Sequence, residues 1–226
     1  MRLFASIAVA AVCVAGCISG CGQPSGPSSS TSAAPPSPSV EVKPANIAKV
    51  RSDLPAGYEL ADIADRTAPA EIWGFGPGWT AEPPQCGALA DPVVDDAVTR
   101  GWSGSGSGGI VYAVVTGSPP ASVGLDPALL AECEHWTLSA GHTSGSITFV
   151  AAPEIEGVAT VGLSTATTTV VEGGTETRSH SDTFIAYLDD YVAFITVVID
   201  PGSPNPPLGQ DFARELLVKT VSALRS

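Results

Sequence analysis

A chain of 226 residues with 10 Lys+Arg against 23 Asp+Glu carries a formal net charge of −13. A surface this acidic is repelled by nucleic acid and by anionic lipid head groups, so nucleic-acid binding is excluded and membrane association must come from an anchor. Setting aside an N-terminal signal and a polar linker leaves about 180 residues, enough for one domain with a sizeable core.

The chain opens with Arg2, an apolar run from Leu3, and small residues leading to cysteine, the layout of a secretory signal. Ile18-Ser19-Gly20-Cys21 resembles a bacterial lipobox, whose cysteine carries diacylglycerol and becomes the first residue after cleavage. Val14-Ala15-Gly16-Cys17 also fits that pattern. Cys21 is preferred, because it gives the apolar region a fuller length and puts polar linker directly after the modified residue; Cys17 is the alternative. Gly16, Ser19, Gly20 and Gly22 break the run short of the ~20 apolar residues that a membrane span needs. Residues 1–20 are therefore read as a lipoprotein signal peptide. Residues 21–43 read as a disordered linker of Ser, Pro, Gly and Ala, with too little apolar surface to offset its ordering entropy. Residues 44–226 read as one globular domain.

Pro44 to Leu54 has helix character, with Ile47, Val50 and Leu54 at i, i+3 and i+7, and Pro55-Ala56-Gly57 stops it. Tyr58 to Ile63 reads as a short strand. Ile72 to Trp79 (IWGFGPGW) sets two Trp and one Phe among glycines and a proline, which suits no regular element. It is expected either to fold its aromatics onto the core or to line a site for an apolar or glycan ligand; Trp73, Phe75, Trp79 and Trp102 are the candidate lining residues. A short helix is expected through Val93, Val94 and Val98. Arg100–Ser103 and Gly109–Gly117 read as strands joined by a flexible glycine-rich connection, which lacks the context of a phosphate or dinucleotide loop. Asp126 caps an expected helix with Pro127 at its first position.

Beyond that helix the chain is β-rich. Ser146–Ala151 and Ala159–Val171 are runs of strand-forming residues. Thr183–Leu188 and Tyr191–Ile199 flank Asp189-Asp190, predicting a hairpin near the centre of the sheet. A closing helix from about Gly209 to Leu224 completes an α+β fold, an antiparallel sheet with helices packed on one face.

Cys86 and Cys133 are the two cysteines beyond the lipobox, and in an exported domain they are expected to form one disulfide. His135, His142 and His180 fit no metal-ligand spacing, so neither a metal nor a cofactor is expected. Gly141-His142-Thr143-Ser144-Gly145 carries Thr where a nucleophile elbow needs Ser, and Asp189-Asp190 and Asp95-Asp96 read as a turn and a solvated helix face. No catalytic residues are assigned; the chain is expected not to be an enzyme, with a hydrolase a distant third reading.

Ile47–Ala61, Trp73–Leu89 and Gly173–Asp182, with the lipobox, the Ser/Pro linker and the ending Leu217–Leu224, resemble exported mycobacterial lipoproteins with an uncharacterised domain. That domain is loosely similar to the extracellular sensor domains of mycobacterial Ser/Thr kinases, which typically carry two disulfides where this chain has cysteines for one. The resemblance implies a lipid-anchored location at the cell membrane, facing outside the cytoplasm, and a ligand cleft on an antiparallel sheet. The expected function is a ligand-binding or sensing module for an envelope lipid, glycan or protein. The alternative is a structural or accessory lipoprotein that binds another envelope protein.

Overall fold

The computed structural model describes residues 41–92, 95–117 and 125–226; the expected signal peptide, both candidate lipobox cysteines and the expected linker as far as residue 40 lie outside them. Nine described strands form one sheet: β1 (Glu59–Ile63), β2 (Thr80–Glu82), β3 (Asp95–Gly106), β4 (Gly109–Gly117), β5 (His135–Ala140), β6 (Thr143–Val150), β7 (Ala159–Val170), β8 (Glu176–Leu188) and β9 (Tyr191–Ile199). Their order is β1-β3-β4-β9-β8-β7-β6-β5-β2, and every neighbouring pair is antiparallel. The β8–β9 hairpin is central, as its sequence predicted. Asp189 takes a left-handed backbone (φ 49°) at its turn, which the twist of a two-residue hairpin favours.

Side chains alternate between the two faces of a strand, so the central strands feed two cores. Phe184, Ala186, Leu188, Ala193, Ile195 and Val197 face one side, with Trp102, Val111 and Ala113. The C-terminal helix α4 (Gln210–Leu224) covers them with Ala213, Leu216, Leu217, Val221 and Leu224. Beside it lies a 3-10 helix, Pro44–Asp53, where the turn of about three residues stacks Ile47 above Val50. Lys43 N–H donates to the Leu224 carbonyl (2.8 Å), and the buried Trp102 indole donates to the Ile47 carbonyl (3.0 Å).

Ile185, Tyr187, Val192 and Phe194 face the opposite side, with Trp73, Phe75, Trp136, Leu138 and Ile147. Short helices α1 (Pro69–Ile72), α2 (Gly87–Ala90) and α3 (Pro127–Glu132) lie among these residues, contributing Ala70, Leu89, Ala90, Leu129 and Leu130. Packing on one face therefore describes only the two longer helical elements. Asp126 caps α3 as read, its Oδ1 accepting from Ala128 N–H (2.9 Å).

Two local expectations need correction. The helix through Val93, Val94 and Val98 is replaced by β3 from Asp95 onward, with Val93 and Val94 outside the described residues. The glycine-rich connection is mostly strand: β3 runs to Gly106, which pairs with Gly109 and leaves Ser107-Gly108 as the turn. A Cβ on Gly104 would come within 2.5 Å of Leu54, and one on Gly106 within 2.5 Å of the Tyr58 ring. Those glycines make room for two side chains that cross the sheet, rather than supplying flexibility.

Candidate functional site

The structure separates the four aromatic candidates. Trp102 is buried on the α4 side of the sheet, whereas Trp73 and Phe75 are buried on the other. Trp79 is half-buried, its ring lying 3.1 Å from where a Gly87 Cβ would stand. Trp73 can be buried completely because its indole N–H donates to the Thr183 hydroxyl (2.9 Å), which in turn meets the Thr196 hydroxyl (2.9 Å). Trp73 and Trp136 meet edge to face with ring centroids 6.4 Å apart. Cys86 and Cys133 form the disulfide, with Cα atoms 5.6 Å apart, and it belongs to the same core. The four aromatics therefore do not line one site.

A cleft of about 490 Å³ opens instead at the ends of β3, β4, β8 and β9. This volume falls within the range of small-molecule sites. Ile110 and Val198 supply an apolar floor, and Ser105, Thr177 and Ser179 add hydroxyls. The segment after β9 forms a wall through Asp200, Ser203 and Asn205. Leu208 N–H donates to the Gly108 carbonyl (2.9 Å), holding the end of that segment against the β3–β4 turn. Period-two alternation places Ile110, Val198 and Ser179 on the face that also carries Val114, Phe194 and Ile185, the face of Trp73.

Next to the cleft the sheet carries a polar seam. Ser181 pairs with Val198 on one side and Thr165 on the other, so Ile110, Val198, Ser181, Thr165 and Ile147 form one continuous row across five strands. In the adjoining row Ser179, Thr167 and Gly145 are aligned. Thr165, Thr167 and Ser181 are buried, and their hydroxyls have no hydrogen-bond partner among the described residues. Trp136 Nε1 and the Tyr187 hydroxyl, on the same side, also lack one. Leaving a buried hydroxyl unpaired costs about 1–3 kcal/mol. Two aromatics from the segment at the end of α1 flank the seam: Trp73 is fixed on Thr183, one row away, and the Phe75 ring lies 2.8 Å from where a Gly145 Cβ would stand.

On the α4 face a different polar group is fully engaged. His180 and Asp182 sit at i and i+2 on β8, so both point toward α4; His180 Nε2 lies 3.2 Å from Asp182 Oδ1. Gln210 Nε2 donates to the same Oδ1 (2.9 Å), and Arg214 Nη2 donates to Gln210 Oε1 (3.1 Å). The Arg214 guanidinium also stands 5.3 Å from the Phe184 ring centroid. The hydrogen bond to Asp182 raises the His180 pKa, against the opposing effect of burial. Burial pushes Asp182 up, but hydrogen bonds from His180, Gln210 and Ser164 and the charge of His180 together hold it below its ordinary value. A His-x-Asp triplet on a strand is the signal that could have marked this pair in the sequence. His135 and His142 are exposed and carry no such partner among the hydrogen bonds of the described residues.

Among the described residues no cluster of three or more His, Cys, Asp or Glu is placed to hold a metal ion. No helix among them is long and apolar enough to cross a membrane.

Among solved structures, the chain is similar to an uncharacterised protein of Mycobacterium smegmatis, the ortholog of Rv0999, at 20% identity and a TM-score of 0.60, over 82% of this chain and 98% of that one. It is also similar to the extracellular domain of PknH from Mycobacterium tuberculosis, at 10% identity and a TM-score of 0.40, over 82% and 92% of the two chains. The first likeness shows a shared fold. No curated protein matches the chain. Residues 43–225 match the family described as Domain of unknown function (DUF5642), and the chain belongs to that family.

Proposed function

We propose that the domain is a ligand-binding module of the cell envelope, held outside the cytoplasm by a lipid on Cys21 and spaced from the membrane by residues 21–43. The cleft at the ends of β3, β4, β8 and β9 carries this reading. It is large enough for a small ligand, and it joins an apolar floor to hydroxyls, to the Asp200 carboxylate and to Arg178. Such a lining favours an amphipathic ligand, an envelope lipid or a glycolipid, over a purely ionic one.

The reading is binding without catalysis. Asp182, the buried carboxylate, lies on the α4 face and is engaged by His180, Gln210 and Ser164 rather than turned into the cleft. The test is native mass spectrometry of the full protein recovered from its own host. A retained lipid or glycan is expected, and Ile110→Arg, which puts a charge on the exposed floor of the cleft, should release it. Recovery free of any ligand, or retention unchanged by Ile110→Arg, would overturn the assignment.

A further inference from the structure

We infer that the polar seam beside the cleft is a cradle for a neutral, polyhydroxylated group, a glycosyl unit, and that the ligand enters it by displacing Phe75; this rests on the binding reading above. Three observations combine. First, Thr165, Thr167 and Ser181 are buried side by side on β7 and β8 with hydroxyls unmatched by any partner among the described residues. Second, the seam is continuous with the cleft, because Ser181 is the register partner of the floor residue Val198, and Ser179 of the cleft lies opposite Thr167. Third, what flanks the seam is aromatic: the tip of Phe75 rests on Gly145, the register partner of Thr167, while Trp73 is anchored on Thr183.

The chemistry selects the ligand class. Each of the three hydroxyls can both donate and accept, and no charged side chain belongs to either register row of the seam as far as Ile147 and Gly145. An ion buried there would gain no opposite charge from these rows and would use only one of the two roles of each hydroxyl. Ligand hydroxyls satisfy both roles, and the space that Phe75 vacates over Gly145 would take the C–H surface of a sugar. A ligand with a chain on Ile110 and Val198 and a glycosyl group against Ser181 would fit both parts.

The test titrates the full protein, below micelle-forming concentrations, with octyl glucoside, methyl glucoside and octyl tetraoxyethylene ether. Binding is read by calorimetry and by the fluorescence of the indole beside the seam. Octyl glucoside should bind tighter than the sugar-free ether by about tenfold or more, the size expected when buried hydroxyls gain their missing partners. Ser181→Ala alone, the smallest change, should erode that preference, and Thr165→Val, Thr167→Val, Ser181→Ala together should abolish it. The melting temperature of the triple variant should stay level or rise, because unmatched hydroxyls are removed. Methyl glucoside binding as well as octyl glucoside would identify a free glycan as the source; much weaker binding would identify a lipid head group.

Equal binding of octyl glucoside and the ether, with both lost in Ile110→Arg, would overturn the cradle and leave the cleft standing. A sugar preference abolished by the seam variants but untouched by Ile110→Arg would leave the cradle and overturn the cleft. No binding by the wild-type protein, or a preference that survives loss of all three hydroxyls, would overturn the cradle.

Discussion

Trp73 donates its indole N–H to the hydroxyl of Thr183, a residue 110 positions later in the chain, at 2.9 Å. That one bond allows an aromatic from a glycine-rich segment to be buried against the centre of the sheet, with its polar atom satisfied. Trp73→Ala removes a fully buried ring and should cost about 3–5 kcal/mol. Thr183→Val should cost less, because it removes the acceptor and keeps the shape, although it strands the indole N–H. Trp79→Ala should cost less than Trp73→Ala, since Trp79 is half-exposed. Denaturant midpoints of the three variants check the order.

The disulfide between Cys86 and Cys133 closes a separation of 47 residues. On the chain-entropy account its loss should lower stability by about 4 kcal/mol. Peptide mapping without reductant should recover the two cysteines in one cross-linked fragment. Free thiols at both positions in the air-exposed protein would contradict the structure.

The His180–Asp182 pair should make stability depend on pH in a definite direction. The His180 pKa is raised in the folded state, so its contribution is complete below the unfolded value of about 6.5 and is lost as pH rises through the raised value. The Asp182 pKa is lowered, so its contribution is present above the unfolded value of about 3.9 and is lost as pH falls through the lowered value. The pair therefore supports the fold most between those limits. His180→Gln should flatten the high-pH decline of the melting temperature, and Asp182→Asn should remove both limbs. An unchanged pH profile in both variants would show that the pair contributes nothing.

Anchoring should depend on Cys21. Cells producing Cys21→Ala should release the protein from the detergent-soluble membrane fraction, without acyl-linked mass, while Cys17→Ala should leave it attached. The reverse result would move the modification to Cys17. Attachment surviving the double variant would remove the lipid altogether.

Several parts of the fold were readable from local pattern. The β8–β9 hairpin follows from β-rich arms around Asp189-Asp190, α4 from its apolar spacing, and α3 from Asp126-Pro127, because each depends on neighbours in sequence. β5 could also have been read: Trp136 and Leu138 alternate with exposed His135, Thr137 and Ser139, a period of two over a short run. The first half of β8, Glu176 to Ser181, could not. It is polar throughout, and it is a strand because it continues the register of β7 from Val170 to Thr165.

The cysteine count and the expected export were sufficient to pair Cys86 with Cys133, since an oxidising compartment would leave two lone cysteines one economical state. Composition alone also placed the aromatics of residues 72–79 as either core or site, without deciding which. That decision belonged to tertiary structure, because burying Trp73 required an acceptor that only the packed sheet brings to it. The same holds for the glycines before β4, whose purpose appears only when Tyr58 and Leu54 cross above them. The cleft and its seam lie beyond sequence reading for the same reason: Ile110, Ser181 and Thr165 become neighbours through strand register, a relation between distant segments that no local periodicity encodes.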